Sequence, residues 1–179
     1  MDTLEAIDKR HSYRGAYKNT PVPREIFRKI LEAGLSAPSG GNRQTTSLIA
    51  LDDPELVKTL TDITRKNGFS GGLAPAGICV LTQRVPGYEG KYFNIQDYSA
   101  VIENLLIAVT AFGYASCWIE GQVTARTETH DVISKLLNIP ADYTVVCYLP
   151  VGVPETEGKR PGNKPFKERA WFNGYRKDS

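Results

Sequence analysis

Two short segments of this 179-residue chain carry side chains that could do chemistry together: Arg10-His11-Ser12-Tyr13-Arg14 and Ala37-Pro38-Ser39-Gly40-Gly41-Asn42-Arg43-Gln44. The first places two guanidiniums around a small hydroxyl. Guanidinium binds a phosphate ester bidentately, and a serine hydroxyl in the same turn adds a further hydrogen bond. The second follows a helix stopped at Pro38 and sets two carboxamides, Asn42 and Gln44, in a glycine-rich loop. Amides supply donors and acceptors for the edge of a heteroaromatic ring, and glycine keeps bulk out of the way. Together they equip a chain to hold a phosphorylated heteroaromatic cofactor. Each also has a plainer reading alone: a helix C-terminus whose dipole favours cations, and a helix-stop turn rich in Gly and Asn.

The elements that must position these residues follow from periodicity and punctuation. Leu4 and Ile7 predict a short helix ending near Arg10, and Pro23 opens a second, with Ile26, Ile30, Leu31 and Leu35 as its apolar stripe. Pro38 disfavours helix at Ala37 and closes it. Residues 46–51 read as a strand, 54–66 as an amphipathic helix with Gly68 beyond its end, and 77–83 as a buried strand. Asp97 is a plausible N-cap for a helix over 98–112 that is apolar nearly all round, so that helix must be buried on every side, centrally or at a subunit interface. A strand over 115–119, a helix over 128–137 and a strand over 143–153 complete the order. This alternation predicts an α/β or α+β fold.

Composition narrows the function classes. With 41% hydrophobic and 23% charged residues the chain is an ordinary globular one, long enough for one well-cored domain. A net charge of +2 gives no argument for nucleic acid, and the basic run from Lys159 to Lys177 is interrupted by Glu. Cys79, Cys117 and Cys147 each sit among apolar neighbours, as free core thiols do, and His11 and His130 are far apart, so no structural metal is expected. The N-terminus lacks a signal layout and no apolar run reaches membrane-spanning length. A cytoplasmic protein with no membrane partner is expected. No Gly-x-Gly-x-x-Gly dinucleotide fingerprint is present.

The two segments, in this order near the N-terminus, resemble the flavin-binding motifs of the nitroreductase family. The resemblance continues through Asp97 and the apolar helix, through Gly113-Tyr114-Ala115-Ser116-Cys117-Trp118-Ile119-Glu120-Gly121, and through Val151-Gly152-Val153-Pro154 and the basic tail, covering nearly the whole chain. It implies an α+β three-layer fold, a central mainly antiparallel sheet flanked by helices. Residues 1–179 would form a single FMN-binding domain, with 154–179 as an extended C-terminal segment. It further implies a homodimer with FMN at the seam and the long helix in the interface.

Carried over residue by residue, the resemblance implies that Arg10 binds the flavin phosphate, with His11 and Ser12 on the ribityl-phosphate side. Arg14 would lie near the N1–C2=O edge, where a cation favours reduction. Pro38, Ser39, Gly40, Asn42 and Gln44 would approach the cofactor held mainly by the partner subunit. Backbone N–H groups around Ile119, Glu120 and Gly121 would reach N5. Lys159, Arg160 and Lys164 are candidates for completing the phosphate site, and Asn67 for a contact to the pyrimidine edge. The Tyr- and Gly-rich stretch 85–94 would lie over the pocket and set substrate choice. The implied activity passes hydride from NADH or NADPH, bound transiently, through flavin N5 to a small electrophile such as a nitroaromatic or quinone, with ping-pong kinetics and no catalytic acid or base. An ene reductase or dehalogenase on the same scaffold is the alternative, or a flavin-binding sensor or accessory protein without turnover.

Overall fold

The computed structural model describes residues 1–124 and 126–175; the end of the basic tail, residues 176–179, lies outside them. Its centre is a three-stranded antiparallel sheet in the order β1 (Thr46–Leu51), β2 (Ala76–Gln83) and β3 (Tyr143–Val151). Thr46 lies opposite Thr82, and Ala76 opposite Val151. A bulge at Val80/Leu81 adds one residue on β3. β2 is apolar on both faces because both are covered. Ile78 and Val80 pack toward α2 (Arg24–Leu35) and α4 (Asn94–Ala111). Cys79 and Leu81 pack toward α3 (Pro54–Lys66), α5 (Gly121–Thr124) and α6 (Thr127–Leu136). A short α1 (Thr3–Lys9) leads in and contacts α4. The expected antiparallel sheet flanked by helices is therefore present. No helix among the described residues is long and apolar enough to cross a membrane.

Local signals explain the elements that fall where the sequence places them. Asp53 accepts from the N–H groups of Glu55 and Leu56 at 3.0 and 2.9 Å, Pro54 opens α3, and Gly68 at φ 98° ends it. In α2 the buried face is Phe27, Ile30 and Gly34, rotated from the expected stripe, and Leu35 is exposed. Gly34 meets Leu105 of α4 so closely that a Cβ would stand 2.6 Å from Leu105 Cδ2, which brings the two helices together at that point.

Three expectations are corrected. α4 begins at Asn94, and Asp97 is not its N-cap: the Asp97 N–H already donates to the Phe93 carbonyl at 2.8 Å inside the first turn. Residues 115–119 do not form a continuous strand. Ala115 bridges Gly152 and Ile119 bridges Tyr148. This register sets Cys117 opposite Pro150, which has no N–H to give, so the ladder is interrupted there. The last strand also ends at Val151 rather than Val153.

Leu105, with 0% exposure, is the side chain against which α2 closes on α4. Leu105→Ala is expected to destabilise the chain by about 2–5 kcal/mol. The expected readout is a lower denaturation midpoint with an unchanged slope in urea.

Candidate functional site

Three consecutive stretches of α4 reach three different segments. The carboxylate of Asp97, only 2% exposed, accepts from the Gly40 N–H at 2.8 Å and from the Thr45 hydroxyl at 2.7 Å. Tyr98 donates its hydroxyl to Glu120 Oε1 at 3.0 Å. One turn and a half later, Glu103 pairs with Arg10 at 3.2 Å. Val101, Ile102, Leu105, Leu106, Ala108 and Val109 anchor one side of the helix in the core, whereas Ile95 is exposed, so α4 is not buried on every side within one chain as its composition predicted.

The loop tethered by Asp97 makes a 3-10 turn at Gly40–Asn42. Gly41, Asn42 and Gln44 all have positive φ, at 59°, 55° and 50°. For Gln44 this costs energy, and it persists because the surroundings over-determine it. Its N–H donates to Ser39 Oγ at 3.0 Å, and its amide donates to Asn42 Oδ1 at 3.3 Å. Asn42 and Gln44 are exposed, while Pro38, Ser39 and Gln44 line a cavity of about 160 Å³ with Asp97 and Val101. The ring of Phe93 packs against Gly40, where a Cβ would approach within 2.6 Å. The stretch 85–94 thus touches this loop at its last residues.

Glu120 uses both carboxylate oxygens inside the protein, the second accepting from Trp118 Nε1 at 2.9 Å. Burial and the neighbouring Glu120 charge push the Tyr98 phenol up to about 12, so it stays a donor. With its side chain anchored and Ile119 bridged to Tyr148, Glu120 holds the turn into α5. No backbone carbonyl among the described residues accepts from the Glu120 or Gly121 N–H groups.

The first segment runs extended, with Ser12 bridged to Ser116 and the Tyr13 N–H donating to the Ser116 carbonyl at 2.8 Å. Ser12 and Arg14 are exposed beside buried Cys117; burial raises that thiol, while the Arg14 charge and Ser12 pull it back. His11 is on another side. It shares a cavity of about 460 Å³ with Tyr13, Gly158 and Arg160, which Arg10, Ser12 and Arg14 do not line. Its Nδ1 lies 2.9 Å from the Lys9 carbonyl, and its Nε2 is buried against Gly158 with no hydrogen-bond partner among the described residues. Arg160 binds the carbonyl and carboxylate of Asp8, whereas Lys159 and Lys164 are exposed. The Asn67 amide is committed to the Gln122 carbonyl at 2.7 Å and Thr129 Oγ1 at 2.9 Å, so it joins α3 to α5 and α6.

Of the residues singled out by sequence, α4 links Arg10, the 39–44 loop and the Glu120 turn, and the chain separates His11 and Arg160 from them. Sequence reasoning missed Tyr98, Trp118, Thr45 and Glu103 as supports. The available signal was the pair Asp97-Tyr98, polar residues opening an otherwise apolar helix.

The nitroreductase family profile matches residues 7–72 and 63–153 of this chain. A Staphylococcus aureus NADPH-dependent oxidoreductase is 33% identical over 189 residues, spanning 96% of this chain and 73% of that protein. An Archaeoglobus fulgidus protein provisionally named NADH dehydrogenase/NAD(P)H nitroreductase is 29% identical over 87% of each. Among solved structures, an FMN-dependent nitroreductase from Clostridium difficile superposes with a TM-score of 0.78 at 28% identity, over 96% of this chain and 99% of that one.

Asp97→Ala leaves a backbone N–H and a hydroxyl without their acceptor, at a cost of about 1–3 kcal/mol. Amide exchange followed by mass spectrometry should show residues 40–44 losing protection, and Asp97→Asn should restore most of it. Unchanged exchange in the alanine variant would remove Asp97 from this role.

Proposed function

The chain belongs to the nitroreductase family, and we propose that this oxidoreductase binds FMN and uses NADH or NADPH to reduce a small electrophile such as a nitroaromatic or a quinone. The observation that carries the reading is the convergence on α4. One helix, anchored in the core, holds a cation-bearing segment, a strained amide-bearing loop and a turn whose Glu120 and Gly121 N–H groups meet no backbone carbonyl among the described residues. That donor set fits a phosphorylated heteroaromatic: guanidiniums and a hydroxyl for the phosphate, carboxamides and backbone N–H groups for the ring.

Each role follows from the chemistry of the side chain. Arg10, oriented by Glu103, and Ser12 would neutralise and hold the phosphate. Arg14, exposed and without an ion pair among the described residues, would put positive charge at the ring edge. Asn42 and Gln44 would present amide edges to the cofactor held mainly by the partner subunit, from a loop whose shape Asp97 sets before any ligand arrives, which lowers the ordering cost of binding. The Glu120 and Gly121 N–H groups would donate to a ring nitrogen from a turn that Tyr98 and Trp118 hold still. Bound FMN supplies the hydride-transfer chemistry, and the protein supplies position and electrostatics. Lys159 and Lys164 remain candidates for the phosphate, and Arg160 and His11 for closing the tail beside it.

A second copy of the chain completes the proposal. Leu4 and Phe172 are each 78% exposed, and Ile95, Phe166 and Tyr175 are also exposed. The tail aromatics pair with one another, Phe166 with Phe172 and Trp171 with Tyr175. So much exposed apolar side chain fits a homodimer interface.

The test is the visible spectrum of the purified protein, followed anaerobically on adding NADH or NADPH. An FMN spectrum bleached within seconds is expected. Flavin that stays oxidised would favour a sensor without turnover, and a colourless protein that takes up no added FMN would overturn the reading. Arg10→Ala should weaken FMN binding by about tenfold or more, the worth of a charge-assisted phosphate contact, with unchanged far-UV circular dichroism.

A further inference from the structure

The loop between β2 and α4 carries charge that the proposed cofactor contacts leave unused. The β1–β2 ladder extends one bond past its last pair, with the Gln83 N–H donating to the Thr45 carbonyl at 2.9 Å. Arg84 therefore leaves the sheet beside Gln44. The loop that follows is pinched by a Pro86–Tyr92 bridge and by the Gly87 N–H donating to the Lys91 carbonyl at 2.7 Å. Its far end returns to the same place, because Phe93 packs on Gly40 and Asp97 holds Gly40 and Thr45. Arg84 and Tyr92 thus face each other across the neck of the loop, with the guanidinium carbon 4.3 Å from the ring centroid.

This stack has a chemical consequence. Tyr92 supports one face of the guanidinium and restricts its rotamers, so the N–H edge is preset and less ordering is needed on binding. Both residues are exposed, Tyr92 at 43%. The nearby carboxylates are engaged elsewhere: Glu89 pairs with Lys91 at 3.6 Å, and Asp142 accepts from Gln83 Nε2 at 2.6 Å. Arg84 has no ion pair among the described residues, and neither has Arg43, which precedes Gln44.

We propose that Arg84, preset on Tyr92 at the neck of the 84–93 loop, is a specificity residue that binds an anionic group, phosphate or carboxylate, on a reactant approaching the loop of Gln44. This rests on the oxidoreductase reading above. Two reactants could carry the anion: the 2′-phosphate of NADPH, or the carboxylate of an acidic acceptor.

The test measures two ratios of kcat/KM in the FMN-loaded protein, NADPH over NADH and para-nitrobenzoate over nitrobenzene. Calorimetric titration with adenosine 2′,5′-bisphosphate and with para-nitrobenzoate runs alongside. Arg84→Ala should lower one ratio by about tenfold, through KM, and weaken the matching titration by a similar factor. A fall in the first ratio identifies the donor phosphate, and a fall in the second the acceptor carboxylate. Arg84→Lys should recover only part of the loss, since a point charge cannot reproduce the stacked fork, and Tyr92→Leu should lower the same ratio. Arg28→Ala, an exposed cation on α2, controls for overall charge; an equal fall there would overturn the proposal. Ratios and titrations within about twofold of the parent would also overturn it. Should the parent protein turn over neither donor, the oxidoreductase reading fails, and the titrations alone then decide whether Arg84 binds anions.

Discussion

A carboxylate taken out of water must find donors, and in this protein that requirement shapes the candidate site. Asp97 sits in the first turn of α4 with 2% of its surface exposed and satisfies itself with the Gly40 N–H and the Thr45 hydroxyl. Those two donors bracket the loop. The residues between them cannot relax into an ordinary turn, and positive φ at Gly41, Asn42 and Gln44 follows. Because α4 is itself locked between the sheet and α2, the loop inherits the rigidity of the core. Tyr98 extends the same logic to the Glu120 turn, and Glu103, itself partly exposed, adds an ion pair to Arg10. Polar groups in the first turn and the middle of a largely apolar helix thereby fix the relation among segments far apart in sequence.

Sidedness in the extended segments divides the remaining polar groups. Successive side chains of an extended chain point opposite ways. Arg10, Ser12 and Arg14 therefore separate from His11 and Tyr13, which turn to the cavity under the tail with Arg160. The same alternation on β2 sends Ile78 and Val80 to one helical layer and Cys79 and Leu81 to the other. A contiguous motif in sequence thus becomes two surfaces in space. Treating residues 10–14 as one binding unit overlooks that division, and it is the reason His11 keeps company with Gly158 and Asp8 rather than with Arg10.

Exposure completes the picture. Among the described residues the tail beyond Pro154 is mostly exposed, and its aromatic rings pair with one another. Leu4 and Ile7, on the helix just before the cation-bearing segment, are also uncovered. Exposed apolar side chains thus occur near both ends of the chain, next in sequence to residues of the proposed phosphate site, and also at Ile95 on α4, and the dimer proposed above would cover them. The stack of Arg84 on Tyr92 is another exposed feature, this one polar, and it stands at the loop rather than at the termini.

Much of this was legible in the residues. The extents of β1 and α3 follow from local chemistry: a short, mainly apolar run in one case, and an Asp cap, a first-turn proline and a closing glycine in the other. The glycine- and amide-rich loop and the all-apolar helix were equally plain, since composition alone excludes an exposed helix there. What local pattern could not decide was where side chains meet across the fold. Asp97 has the type and place of an N-cap, yet its donors lie 57 and 52 positions back along the chain. The interruption at Cys117 depends on Pro150 being its opposite number, which is a matter of register. Asn67, open as a ring contact by sequence, was claimed by Gln122 and Thr129. Residue type and spacing determined the elements and the chemical inventory, because those depend on neighbours along the chain. Tertiary structure alone decided which polar groups satisfy one another, because burial makes each group take whatever partner the packing brings within hydrogen-bond reach.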